Sequence, residues 1–135
     1  MGEKSKGKIL MLDDEKFLLD MYRVSFEKYG FEISVFSEPD AALSALRSGY
    51  APDLIFFDLT MPDSRSGYEF MQSVHDEKLA KHALKYALTN EGQDGPIKRL
   101  EELGADGHLL KASYTPSELV MRSEKLLKKR RFWFF

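Results

Sequence analysis

Four apolar runs along the chain end on polar residues. Ile9-Leu10-Met11-Leu12 leads into Asp13 and Asp14, and Leu54-Ile55-Phe56-Phe57 leads into Asp58. Tyr86-Ala87-Leu88 leads into Thr89, and Leu109-Leu110 into Lys111. A short, unbroken apolar run bounded by turn signals is the pattern of a strand covered on both faces. A fifth segment differs: Phe31, Ile33 and Val35 alternate with polar positions, which predicts an edge-like strand with one buried face.

Helical patterns fill the gaps. A first helix is predicted from about residue 15 to 29, closed by Gly30 in the left-handed cap position. Ser37 is placed to cap a second, with Asp40 three residues on and Gly49 ending it. A third is predicted from about 67 to 80, after a loop over 61–66, and is followed by a strand over 85–88. A flexible loop over 92–95 precedes a fourth helix ending near Gly104, and a short strand over 107–110 follows. Thr115-Pro116-Ser117-Glu118 opens the last helix, with Thr as N-cap, Pro in the first turn and Glu completing a capping box.

Five strands alternating with five helices imply a doubly wound parallel α/β sheet. Such sheets bind ligands beyond the carboxyl ends of their strands. Asp13, Asp14, Asp58, Thr89 and Lys111 all sit at those ends and so converge on one rim. An acidic cluster with one hydroxyl and one ammonium can hold a divalent cation and a phosphoryl group.

Composition narrows the picture only slightly. The 135 residues suit one domain, with 43% hydrophobic and 31% charged positions. A net charge of −2 gives no argument for nucleic-acid binding. There is no cysteine, hence no disulfide or thiol chemistry, and a cytoplasmic setting fits. No apolar run approaches the roughly 20 residues needed to span a bilayer. The first eight residues are charged but lack the apolar core of a secretory signal.

At these residues the chain resembles the receiver domain of bacterial two-component response regulators, the CheY-like family. The pair Asp13-Asp14, the segment Asp58-Leu59-Thr60-Met61-Pro62, Thr89 and Lys111 stand in the family's order and near its spacing, over about residues 7–131. The resemblance implies a flavodoxin-like sheet of order 2-1-3-4-5, with residues 1–131 as the receiver domain and 132–135 as the end of a basic, aromatic tail. It implies Asp58 as phosphoacceptor for a sensor histidine kinase or phosphotransfer protein. It implies Mg²⁺ held by Asp14 and Asp58 directly, by Thr60 through its backbone carbonyl, and by Asp13 through water. Lys111 would pair with a phosphoryl oxygen, and Thr89 would donate its hydroxyl to another as the switch. The expected output face is formed by the fourth helix, fifth strand and fifth helix. The implied protein is a cytoplasmic phosphoacceptor, monomeric or homodimeric, with slow autodephosphorylation rather than an enzyme's turnover, and without direct nucleic-acid binding or a membrane span.

Each residue also has a plainer reading. Asp13 and Asp14 suit a helix N-terminus, Asp58 a loop, Met61-Pro62 a turn, Thr89 a strand end and Lys111 a solvated surface. His75 and His82 show no metal-ligand spacing. Four departures from the family pattern stand out. Alanine follows Lys111 where proline is usual, so the expectation is a trans bond or a strained cis one. His108 stands where a tyrosine or phenylalanine switch is usual, either as the switch side chain or as an exposed strand residue. Asn90 replaces a small residue, and with Thr60 and Glu91 it is expected to set the lifetime of the phosphoryl group. The loop over 62–67 is one residue longer than usual.

The chain ends in Lys128-Lys129-Arg130-Arg131-Phe132-Trp133-Phe134-Phe135. This reads as a partner-docking segment, a membrane-surface anchor, a self-packing end or a terminus without a role, with docking or self-packing preferred and the membrane least favoured. Two rivals to the main reading are a receiver-fold interaction module that signals without phosphorylation, and an aspartyl-phosphate hydrolase. The hydrolase needs a second acid two positions after its nucleophile, where this chain has Thr60.

Overall fold

The apolar runs become five strands: β1 (Lys8–Leu12), β2 (Glu32–Phe36), β3 (Leu54–Asp58), β4 (Leu84–Thr89) and β5 (Gly107–Leu110). The computed structural model describes residues 4–61, 66–90 and 95–134. All strand pairings are parallel, and the order is β2-β1-β3-β4-β5. This is the expected order, and it makes β2 the edge strand that its alternating pattern predicts. β1 and β3 are central, and each of Ile9 to Leu12 and Leu54 to Phe57 is at most 1% exposed. Burying each such side chain contributes about 1.5–3 kcal/mol.

Five helices cover the sheet: α1 (Lys16–Lys28), α2 (Pro39–Arg47), α3 (Gly67–Asp76), α4 (Gly95–Glu102) and α5 (Pro116–Phe134). Leu19, Tyr22 and Phe26 of α1 and Leu119, Val120 and Leu127 of α5 bury one face, together with Met11 and Phe56. Leu43 of α2, Phe70 and Met71 of α3 and Leu100 of α4 bury the other, together with Leu10 and Phe57. The alternation of Met11 against Leu10, and of Phe56 against Phe57, is the period of two that sends successive side chains to opposite layers.

Some helix ends differ from expectation. Ser37 does not cap α2: the N-cap is Glu38, without a side-chain bond, and Pro39 takes the first helical position. The ring fixes φ and lacks an N–H, so proline settles where a donor is not needed. Helix α3 stops at Asp76, four residues early. Its end is closed by two hydrogen bonds back into the helix: Lys78 N donates to His75 O (3.2 Å) and Leu79 N to Val74 O (2.9 Å), with Lys78 at φ 56°. That closure normally recruits glycine, which is why lysine hid it from the sequence pattern. The capping box of α5 forms as read: Thr115 N donates to Glu118 Oε1 (2.9 Å) and Glu118 N to Thr115 Oγ1 (3.2 Å). A short 3-10 turn over Lys111–Ser113 links β5 to α5. No cis peptide bond occurs among the described residues, so the Lys111–Ala112 bond is trans. Of the expected loop over 92–95, residues 92–94 lie outside the described residues and Gly95 already opens α4; residues 62–65 of the lengthened loop also lie outside them.

Candidate functional site

Asp13 follows β1, Asp58 closes β3, Thr89 closes β4 and Lys111 follows β5. The parallel register brings these four ends to one edge, and Asp14 joins them. One carboxylate oxygen from each of Asp13, Asp14 and Asp58 lies within 4.8 Å of the others. Lys111 Nζ sits 2.7 Å from Asp13 Oδ2 and 3.1 Å from Asp58 Oδ2. Asp58 Oδ1 accepts the Thr60 backbone N–H at 3.1 Å. Asp13 Oδ1 accepts the Glu15 N–H at 2.9 Å, but Glu15 itself is the N-cap of α1 and no side chain caps that helix, so neither Asp13 nor Asp14 serves as its cap. An open cleft of about 390 Å³ lies above the cluster, lined by Asp14, Asp58, Thr60, Asn90, Lys111 and Ala112.

The electrostatics follow from burial. Asp13 is fully buried, and Asp58 is 4% exposed. Burial pushes the Asp58 carboxyl above its ordinary range, against the Thr60 N–H and the Lys111 charge. Burial alone would lower Lys111, but Asp13 and Asp58 outweigh it and hold the ammonium above its usual value. Asp13 Oδ2 takes no hydrogen bond among the described residues apart from its ion pair with Lys111. Three carboxylates against one ammonium leave the cluster with excess negative charge. Closely spaced hard oxygen donors with excess negative charge fit a small divalent cation such as Mg²⁺.

Thr89 is buried, and its Oγ1 donates to the Leu109 carbonyl across β4 and β5 at a long 3.4 Å. His108 is exposed on β5, opposite Ala87 in the register. Asn90 is exposed at the cleft, and Glu91 lies outside the described residues. His75 and His82 are exposed and belong to no metal-capable cluster among the described residues.

Two residues at the site escape the sequence reading. Gly67, the first residue of α3, packs so closely that a β-carbon there would overlap the Asp58 carbonyl oxygen. Tyr22 is 2% exposed beneath the cluster. Burial pushes its hydroxyl up to about 12, with Asp13, Asp58 and Glu15 adding to the shift and Lys111 opposing it. Helical spacing from Leu19 to Tyr22 and Phe26 marks a core face, but nothing in sequence brings that hydroxyl near the carboxylates.

The family model for the response regulator receiver domain matches residues 9–124. The chemotaxis protein CheY of Halobacterium salinarum is 29% identical over 118 residues, covering 87% of this chain and 95% of that protein. The response regulator SaeR of Staphylococcus epidermidis is 31% identical over 119 residues, covering 88% of this chain. The chain spans about half the length of several of these relatives, 49% of SaeR and 51% of ResD of Bacillus subtilis. Among solved structures, the chemotaxis response regulator CheY4 of Vibrio cholerae superposes with a TM-score of 0.75 at 22% identity, over 93% of this chain and 99% of that one. A CheY-like receiver domain protein of Methanospirillum hungatei gives 0.78 at 21% identity, over 96% and 98%.

Proposed function

This chain belongs to the response regulator receiver domain family of two-component signalling, and from that premise we propose that it accepts a phosphoryl group on Asp58 and passes the change to a protein partner. The observation that carries this reading is the convergence of Lys111 Nζ, 3.1 Å from Asp58 Oδ2, with three carboxylates, one oxygen of each lying within 4.8 Å of the others. Phosphoryl transfer asks for positioning and charge neutralisation rather than elaborate covalent chemistry.

Asp58 Oδ2 attacks the phosphorus of a phosphohistidine on a sensor kinase or phosphotransfer protein. An O–P bond forms, the P–N bond breaks, and its electron pair returns to the imidazole nitrogen. The Thr60 N–H, on Oδ1, fixes the plane of the attacking carboxylate. Lys111 swings from its resting contacts to a phosphoryl oxygen and offsets the added charge. Asp14 and Asp58 would hold Mg²⁺ with the Thr60 carbonyl, and Asp13 would hold it through water. The ion would supply charge neutralisation at the phosphoryl oxygens.

Thr89 is the switch. Its 3.4 Å bond to Leu109 is weak by length, so a phosphoryl oxygen can draw the hydroxyl away at little cost. The carbonyl it leaves belongs to the residue after His108, which carries the change to the exposed face of β5, flanked by α4 and α5. A two-state bias of this kind needs only a differential contact in one state.

The test is intact mass after incubation with Mg²⁺ and acetyl phosphate, with Asp58→Ala as control. One added phosphoryl group of about 80 Da in the parent and none in the variant supports the reading. No gain in either chain, with no Mg²⁺ response, overturns it.

A further inference from the structure

A second cavity, of about 550 Å³, lies at the other end of β4 from the acidic cleft. Its lining comes from α3, from the end of α4 and from the segment that leads into β4. Lys85 belongs to that lining. It precedes Thr89 on the same strand and so sits roughly 13 Å from the rim where the carboxylates gather.

Strand geometry fixes the direction of this lysine. Leu84 and Tyr86 pack in the layer of α1 and α5, whereas Ala83 and Ala87 pack in the layer of α3 and α4. Side chains alternate along a strand, so Lys85 goes with the second pair. It is 8% exposed, an uncommon setting for a lysine without an ion pair. Among the described residues its Nζ donates only to the Ala83 carbonyl, at 2.9 Å, which leaves two of its three N–H donors unused. The Asp106 carboxylate does not take them: its Oδ2 accepts the Lys85 backbone N–H at 2.8 Å. Burial holds the ammonium below its ordinary value, with Asp106 opposing the shift and Arg130 adding to it.

The rest of the lining suits one kind of ligand. Lys78 and Lys81 are exposed beside the cavity, and neither has an ion pair among the described residues. The one carboxylate of the lining, Asp76, accepts Gln72 Nε2 at 2.9 Å. Three ammonium groups against one carboxylate leave excess positive charge. Met71, Val74, Leu79 and Leu103 supply apolar walls. A buried cation is costly unless an anion meets it, and apolar walls favour a ligand with a hydrocarbon body over a fully polar ion. We propose that this cavity binds a small organic anion, a carboxylate on a short aliphatic chain, with the carboxylate on Lys85 and the chain against the apolar walls. The cavity shares no lining residue with the acidic cleft, so binding here can be read whether or not Asp58 accepts a phosphoryl group.

The test is an amide NMR titration of the isotope-labelled full chain with sodium acetate, butyrate, hexanoate and inorganic phosphate, at constant ionic strength. Saturable shifts are expected with hexanoate at Leu79, Lys85, Leu103 and Gly104. The Lys85 ε-methylene resonance should follow the same curve. Affinity should rise about threefold per methylene from acetate to hexanoate, and phosphate should bind about tenfold more weakly than hexanoate or less. Lys85→Met removes the cation but keeps an apolar chain of similar length, and should abolish the saturable shifts. Lys81→Glu changes only an exposed position and should weaken hexanoate binding about threefold. Circular dichroism and the mass gain at Asp58 should match the parent in both variants. No saturable shift in the parent at about 20 mM hexanoate, above the millimolar range of weak binding, overturns the proposal. Equal affinity for phosphate and hexanoate overturns it too, as does hexanoate binding that survives in Lys85→Met.

Discussion

Lys111 lies closer to Asp13 than to the phosphoacceptor: Nζ is 2.7 Å from Asp13 Oδ2 and 3.1 Å from Asp58 Oδ2. The resting lysine therefore chiefly neutralises a fully buried carboxylate and is shared with the reacting one. Removing it strands two buried charges. Lys111→Met should lose about 3 kcal/mol of stability in metal-free buffer, and added Mg²⁺ should restore much of it. Urea unfolding with and without Mg²⁺ checks this, and an unchanged midpoint would refute the shared-lysine account.

Asp58 gives a pH prediction of definite sign. Its folded-state value is raised, chiefly by burial. A carboxyl raised above its unfolded value binds protons more readily in the folded state, so its ionised form costs stability at neutral pH. That cost disappears as pH falls through the raised value toward the ordinary carboxylate range. In metal-free buffer, Asp58→Asn should be more stable than the parent at pH 7, with the difference shrinking by pH 4. Chemical denaturation at the two pH values tests it, and a gap that widens on acidification would reverse the sign.

Gly67 couples the start of α3 to the phosphoacceptor strand. Gly67→Ala places a carbon against the Asp58 carbonyl oxygen, a backbone neighbour that cannot swing aside. A loss of about 2 kcal/mol is expected, together with slower phosphoryl acceptance as Asp58 shifts. Stability and the time course of intact mass should change together.

Lys78 offers the opposite outcome. Its φ of 56° lies in the left-handed region, where a non-glycine residue costs roughly 1–2 kcal/mol. Lys78→Gly should relieve most of that strain, tempered by glycine's greater freedom when unfolded. A net gain of about 0.5–1 kcal/mol is expected, with phosphorylation unaffected because α3 ends at the sheet edge away from the cleft.

Thr89 and His108 separate phosphorylation from its readout. Thr89→Val removes a 3.4 Å bond and should cost no more than about 1 kcal/mol. The variant should still gain mass at Asp58 while the phosphorylation-dependent amide shifts along β5 diminish. His108→Ala should leave both stability and phosphoryl acceptance near the parent and reduce only phosphorylation-dependent partner binding. Unchanged partner binding would make His108 an ordinary exposed strand residue.

Much of this architecture was legible in the chain. Unbroken apolar runs specify strands buried on both sides, and such strands need helices on both faces. The acids, threonine and lysine that end those runs therefore have to share one edge, and Asp13, Asp14, Asp58, Thr89 and Lys111 are found there. Signals carried by neighbours within a few residues were also readable, as the Thr115–Glu118 capping box shows. What the chain could not disclose depends on distance between segments far apart in sequence. Whether Lys111 leans on Asp13 or Asp58, how closely Gly67 approaches the Asp58 carbonyl, and that Tyr22 lies beneath the carboxylates follow from how the layers pack. The end of α3 at Lys78 and the run of α5 past the sheet are likewise tertiary outcomes. Packing outweighed the missing glycine at the first, and at the second the burial of Leu119, Val120 and Leu127 against α1 and the sheet seats the helix. Local pattern determines which residues can meet on an edge; side-chain packing, at ångström scale, decides which of them touch.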